Sequence, residues 1–151
     1  MLARRLLRRL VLPGLGLVLS PLAVAGPLVE MWKDPNCGCC TAWAEHLEAE
    51  GFEVRLHDTR EMRQVKIDRG VPPRLASCHT AVVDGYVIEG HVPAADIRRL
   101  LEEGPEVAGL AVPGMPHGSP GMETGRVDDY AVYSWQVADP APEIFQRHIQ
   151  P

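Results

Sequence analysis

The sequence predicts one α/β domain whose elements run β-α-β-α-β-β-α, followed by a Gly/Pro-rich loop and one added strand. Three observations lead there. The apolar period switches between two and 3.6 in that order from residue 28 to residue 101. Asp84-Gly85, set between two apolar runs, marks a tight hairpin. At 151 residues the chain suits one domain with a core and is short for two.

Each element has its own signal. Residues 28–33 alternate as a strand, and Asp34-Pro35-Asn36 breaks it and offers a helix cap. From Cys37 to about Glu50 the spacing is helical, with Cys40, Trp43, Ala44 and Leu47 on one face and Gly51 as the stop. Trp43 is expected to pack this helix onto the sheet. Residues 52–56 alternate as a second strand. Asp58 and Glu61 have capping-box spacing for a short helix that turns Met62 and Val65 inward and closes near Gly70. Residues 80–83 and 86–88 form the hairpin, and Pro93 opens a helix with Ile97, Leu100 and Leu101 on one face. Residues 104–126 hold six Gly and four Pro, a long stretch expected to lack regular structure and therefore to be either functional or disordered. Residues 130–137 alternate as the added strand, whereas the tail 139–151 has no assignable pattern.

The first 25 residues read as a secretory signal. Arg4, Arg5, Arg8 and Arg9 form its charged part, Leu10 to Leu19 its apolar part, and Ala23-Val24-Ala25 its cleavage site. The apolar run is too short and broken to span a bilayer well. The two Arg pairs also suit a twin-arginine exporter, so the route stays open. The expected organisation is a signal over 1–25, a domain over 26–138 that includes the loop 104–126, and a tail over 139–151. The expected destination is the periplasm, with no membrane span once the signal is removed. The chain has 15 basic and 20 acidic residues; four basic and no acidic residues lie in the signal, so the exported part carries a net −9. Such a surface repels phosphate backbones and argues against nucleic-acid binding.

Cysteine carries the chemistry. Cys37, Cys39 and Cys40 lie within four residues, too close together to staple much chain as a purely structural framework would. Cys37-Gly38-Cys39-Cys40 stands between the first strand and the first helix, where a thioredoxin-like domain carries its Cys-x-x-Cys, and the element order is that of such a domain. A helix N-terminus stabilises thiolate, the form that attacks disulfides and also binds soft metals. Cys37 and Cys40 have redox-pair spacing, but a third thiol beside them invites scrambling. In a thioredoxin-like fold the loop entering the third strand packs against the dithiol. That loop is residues 76–80, so Cys78 is expected to join the others from 38 residues beyond Cys40. Clustered thiolates favour copper in its Cu(I) state, with thiolate bridging between ions. Pure disulfide chemistry and zinc stay open, although a second zinc knuckle is missing.

The string Cys37-Gly38-Cys39-Cys40 with Trp43 and His46 resembles the CopG-type copper-resistance family of exported proteins. Further matching strings are Gly70-Val71-Pro72, residues 77–83 from Ser77-Cys78-His79, residues 89–93 from Glu89-Gly90-His91, and Ala111-Val112-Pro113-Gly114-Met115-Pro116 with residues 118–123. The resemblance covers most of residues 28–123. It implies a thioredoxin-like fold, copper held by the four cysteines, and a role in copper handling or copper redox chemistry.

The supplementary donors are His46, His79, Met115 and Met122. His46 shares a helix flank with Cys39 but lies about 10 Å along the axis. His79 follows Cys78 directly, and the two methionines offer soft sulfur from a loop with no evident core face. His91 reads as a turn residue, His57 and His148 as solvent-facing, and Met31 and Met62 as core. The expected function is therefore Cu(I) binding through Cys37, Cys39, Cys40 and Cys78, with cycling to Cu(II) and a membrane copper exporter or periplasmic copper carrier as partner. The alternatives are a thiol–disulfide oxidoreductase using Cys37 and Cys40, and a passive copper chaperone.

Overall fold

The computed structural model describes residues 25–138 and 141–149. The signal expected over residues 1–25 thus lies almost wholly outside the described residues. Among the described residues seven strands form a single sheet, which three helices accompany: β1 (Leu28–Lys33), β2 (Glu53–Asp58), β3 (Thr80–Val83), β4 (Tyr86–Glu89), β5 (Gly109–Ala111), β6 (Tyr130–Trp135) and β7 (Glu143–His148). Three helices, α1 (Gly38–Ala49), α2 (Met62–Asp68) and α3 (Ala94–Glu103), and a 3-10 turn at Pro73–Leu75 connect them. The sheet order is β2-β1-β3-β4-β5-β6-β7. The pairs β1–β2 and β4–β5 are parallel and the other four antiparallel. The mixed α/β class and the β-α-β-α-β-β-α order expected from the sequence are both present.

Alternation explains the layers. In β1, Val29, Met31 and Lys33 point inward, and Lys33 is neutralised by Asp58 at 3.1 Å. In β4, Ile88 joins the main core with Met31, Trp43, Leu47, Ile97 and Leu100, whereas its neighbour Val87 joins a second core with Val71, Leu75, Ala111 and Trp135. Adjacent strand residues face opposite ways, so the two cores lie on opposite faces of the sheet. Helices α1 and α3 cover the first, and the segment after α2 covers the second. The buried face of α1 is the expected Cys40, Trp43, Ala44 and Leu47. Burying side chains of this size stabilises by about 1.5–3 kcal/mol each.

Four local expectations are corrected, and the tail left without a pattern gains a strand. Helix α2 buries none of its residues, so Met62 and Val65 are only half-buried and Met62 is not core. Asp58 ends β2 and does not cap α2; the Glu61 N–H donates instead to Thr59 Oγ1 at 3.0 Å. The Gly/Pro-rich stretch contains a buried strand, β5, paired on both sides. Residues 143–148 of the tail form β7 against β6. His148 does not face solvent freely: it lies 2.7 Å from Asp96 and stacks on Tyr130. Among the described residues no helix is long and apolar enough to cross a membrane.

Candidate metal centre

The site is built at the N-terminus of α1. The Cys37 N–H donates to Asp34 O at 3.0 Å, and the Asn36 N–H to Asp34 Oδ1 at 2.8 Å, so the Asp34-Pro35-Asn36 break folds into a tight turn. That turn sets Cys37 as the residue before the helix and puts Cys39 and Cys40 in its first turn, where free N–H groups favour negative sulfur. Cys37 and Cys40 are joined as a disulfide with Cα atoms 5.3 Å apart, while Cys39 and Cys78 are free. Cys40 is fully buried; Cys37, Cys39 and Cys78 are half-buried.

Cys78 arrives from the loop before β3. All four sulfurs lie within 4.8 Å of one another, and Cys37 and Cys39 Sγ are 3.6 Å apart. The convergence expected of a distant cysteine is therefore present. Cys78 also belongs to a second group, with His79 and His91, whose ligand atoms lie within 4.8 Å of one another. Its sulfur is 3.3 Å from His79 Nδ1 and 3.1 Å from His91 Nε2.

Hydrogen bonding fixes the state of these groups. His91 Nδ1 is 2.7 Å from Pro120 O, and a carbonyl only accepts, so Nδ1 carries the proton. The lone pair of Nε2 is thereby directed at Cys78. Burial holds the pKa of both histidines below the ordinary 6.5, far below it for His79, and keeps both rings neutral and able to donate to a metal. Among the described residues His79 Nε2 is buried without a hydrogen-bond partner. Its ring sits against Trp43, centroids 4.4 Å apart, and the indole N–H of Trp43 donates to Val92 O at 2.9 Å. Burial, and then the charge of Cys39, push the Cys78 thiol up to about 11, so it is protonated until something replaces its proton.

The Gly/Pro-rich segment closes over this site as a strap. A Cβ at Gly121 would sit 2.7 Å from Cys39 O, 2.8 Å from Trp43 N and 3.3 Å from His91 Nδ1. With φ at +85° as well, this position accepts only glycine without strain. Met122 follows directly and is half-buried; Met115, 51% exposed, follows Gly114, whose carbonyl accepts the Ser77 hydroxyl. His46 lies in neither ligand group: its Nε2 accepts the Ala94 N–H at the start of α3, 3.2 Å away.

The donor set fits a soft metal. Reduced, the two groups offer four sulfurs and two neutral imidazoles and no carboxylate, a set that suits copper and excludes hard cations. In the disulfide form, Cys37 and Cys40 supply no thiolate. His91, read from sequence as a turn residue, is fully buried and central. Gly90 (φ +71°), just before it, turns the chain at the end of β4.

A family model described as "Protein of unknown function, DUF411" matches residues 75–122, from the Cys78 loop through the strap. Two solved structures, both of a copper resistance protein CopG, are similar to this chain. Form 2 is 46% identical, with a TM-score of 0.78, over 82% of this chain and 99% of that one. Form 1 is also 46% identical, with a TM-score of 0.76, over 82% of this chain and 98% of that one. No curated protein sequence matches. An identity this high over nearly the whole of the CopG chain, joined to the DUF411 match across the Cys78 loop and strap, places the chain in the CopG copper-resistance family.

Proposed function

We propose that this protein binds copper in the service of copper resistance, as an exported, thioredoxin-like protein of the periplasm. Reduced Cys37, Cys39, Cys40 and Cys78 hold Cu(I), and His79 and His91 extend the donor set beyond Cys78. His46, Met115 and Met122 are the outlying candidates; Met122 is the best placed of them, beside the glycine that touches Cys39. The observation that carries this reading is Cys78 itself, a member of both the four-sulfur and the sulfur–imidazole group. When Cys37 and Cys40 close as a disulfide, the soft four-sulfur set is lost while Cys39, Cys78 and two imidazoles remain. Imidazole suits Cu(II) better than a thiolate nest does. Oxidation of the Cys37 and Cys40 thiols to the disulfide gives up two electrons and two protons; the electrons take two Cu(II) ions to Cu(I) and the protons pass to solvent, so one site can trade thiol oxidation for metal reduction. A membrane copper exporter or periplasmic copper carrier would take the ion onward.

Anaerobic copper titration of the reduced protein, followed by electron paramagnetic resonance on oxidation, tests this. The expected result is copper bound without a Cu(II) signal, which appears on oxidation while the metal is retained. Protein purified without tags or chelators that holds no copper overturns the reading.

The Cys37–Cys40 disulfide favours a second reading, a thiol–disulfide oxidoreductase. Replacing Cys39 and Cys78 together separates the two. Oxidoreductase activity survives that change, whereas copper binding collapses.

A further inference from the structure

The loop that carries Cys78 pairs with no strand until Thr80, yet its sulfur is held within a few ångströms of three others. Behind it lies Glu89, the last residue of β4, wholly buried. Donors from three segments converge on this carboxylate. The Ser77 N–H donates to Oε1 at 2.6 Å, Lys66 Nζ from α2 donates to Oε1 at 2.6 Å, and the Thr80 hydroxyl donates to Oε2 at 2.7 Å. Lys66 also donates to Thr80 Oγ1 at 3.0 Å. On the other side of Cys78, the Gly90 N–H donates to His79 O at 3.1 Å. The lack of a side chain on Gly90 matters too: a Cβ there would lie 2.5 Å from Ser77 Oγ and 2.7 Å from Val112 O.

A buried ion pair is poor evidence of stability, because desolvation cancels most of its attraction and an apolar pair often serves as well. Its value here is geometric. No apolar side chain could accept the Ser77 N–H, the Thr80 hydroxyl and the Lys66 ammonium together. We propose that Glu89, kept in place by Lys66, is the positioning residue for Cys78: it fixes the residue just before the cysteine, so the sulfur is presented to both ligand groups in the metal-free protein. This rests on the reading of Cys78 as a copper ligand, but its first test needs no copper.

The test is the rate of iodoacetamide alkylation at Cys78 in the metal-free disulfide form at pH 8, followed by mass spectrometry and paired with Cu(I) competition against a chelator. In Glu89→Gln the Cys78 rate rises at least tenfold as the loop loosens, and Cu(I) affinity falls by about 10–100-fold. Ile97→Val, a core change on α3, lowers the melting temperature without moving the Cys78 rate by more than twofold. Lys66→Met stands in if Glu89→Gln does not fold, with a rise of at least threefold. A folded variant whose Cys78 rate stays within twofold of wild type overturns the proposal, as does an equal rise in Ile97→Val. A raised rate with unchanged copper affinity upholds Glu89 as the anchor and overturns Cys78 as a ligand.

Discussion

Replacing Gly121 with alanine probes the closure of the strap over the site. Two costs follow from the geometry. The positive φ of +85° costs a side-chain-bearing residue about 1–2 kcal/mol. The added Cβ would also meet Cys39 O at 2.7 Å and Trp43 N at 2.8 Å, both backbone atoms of α1 that cannot swing aside. The strap must lift, and the His91–Pro120 hydrogen bond is lost, a further cost of about 0.5–1.5 kcal/mol. The expected total is about 1.5–3.5 kcal/mol. Urea unfolding of the disulfide form measures it, as a midpoint lower by roughly 0.7–1.8 M at an m-value of about 2 kcal/mol/M. Gly125→Ala is the control, because Gly125 has a φ of +83° but open space around its Cβ, so it costs only the backbone part. Nitrogen NMR of His91 supplies the local readout: the proton fixed on Nδ1 in the wild type becomes shared between both nitrogens in Gly121→Ala. Equal costs for the two alanines, with the His91 proton unmoved, would refute the strap.

Three further outcomes are expected. Trp43→Phe removes the donor to the buried Val92 carbonyl and destabilises by about 1–3 kcal/mol, read as a fall of several degrees in Tm. The metal-free protein loses stability as pH falls below 6.5, because unfolding lets His79 take up a proton that its burial refuses in the fold. The sign follows from the depressed folded pKa: stability is full above the unfolded value and declines below it, by up to about 1.4 kcal/mol per pH unit, and His79→Gln flattens the denaturant-measured slope. A Cys78 thiol pushed from 9.0 up to about 11 is alkylated about 100-fold more slowly at pH 8 in the native disulfide form than in the denatured chain.

The parts of the fold that could be read in the sequence were those with local periodicity. The α1 face Cys40-Trp43-Ala44-Leu47 and the Asp84-Gly85 hairpin announce themselves because their partners lie within a few residues or a helical turn. Strand β5 does not: Gly109-Leu110-Ala111 is three residues long and buried throughout, so there is no alternation to see, and only the neighbours β4 and β6 make it a strand. Strand β7 is half exposed, and what holds it is β6 together with contacts such as Arg99 over the Phe145 ring. At the site, the Cys37-Gly38-Cys39-Cys40 cluster is contiguous and legible, and Cys78 was reachable through the topology. His91 was not, since its role is set by Pro120 from 29 residues away. Glu89 escaped for the same reason, because its three donors come from α2, the Cys78 loop and β3.

The unequal burial of the bridged sulfurs gives the disulfide a direction. A thiolate arriving from solvent has one sulfur within reach, that of Cys37, since Cys40 exposes no surface at all. The leaving sulfur is then released inward, beside Cys39 and Cys78, and never outward to the incoming molecule. Whatever opens the bridge from outside thus frees a thiolate on the inner side first, where two other thiols already stand.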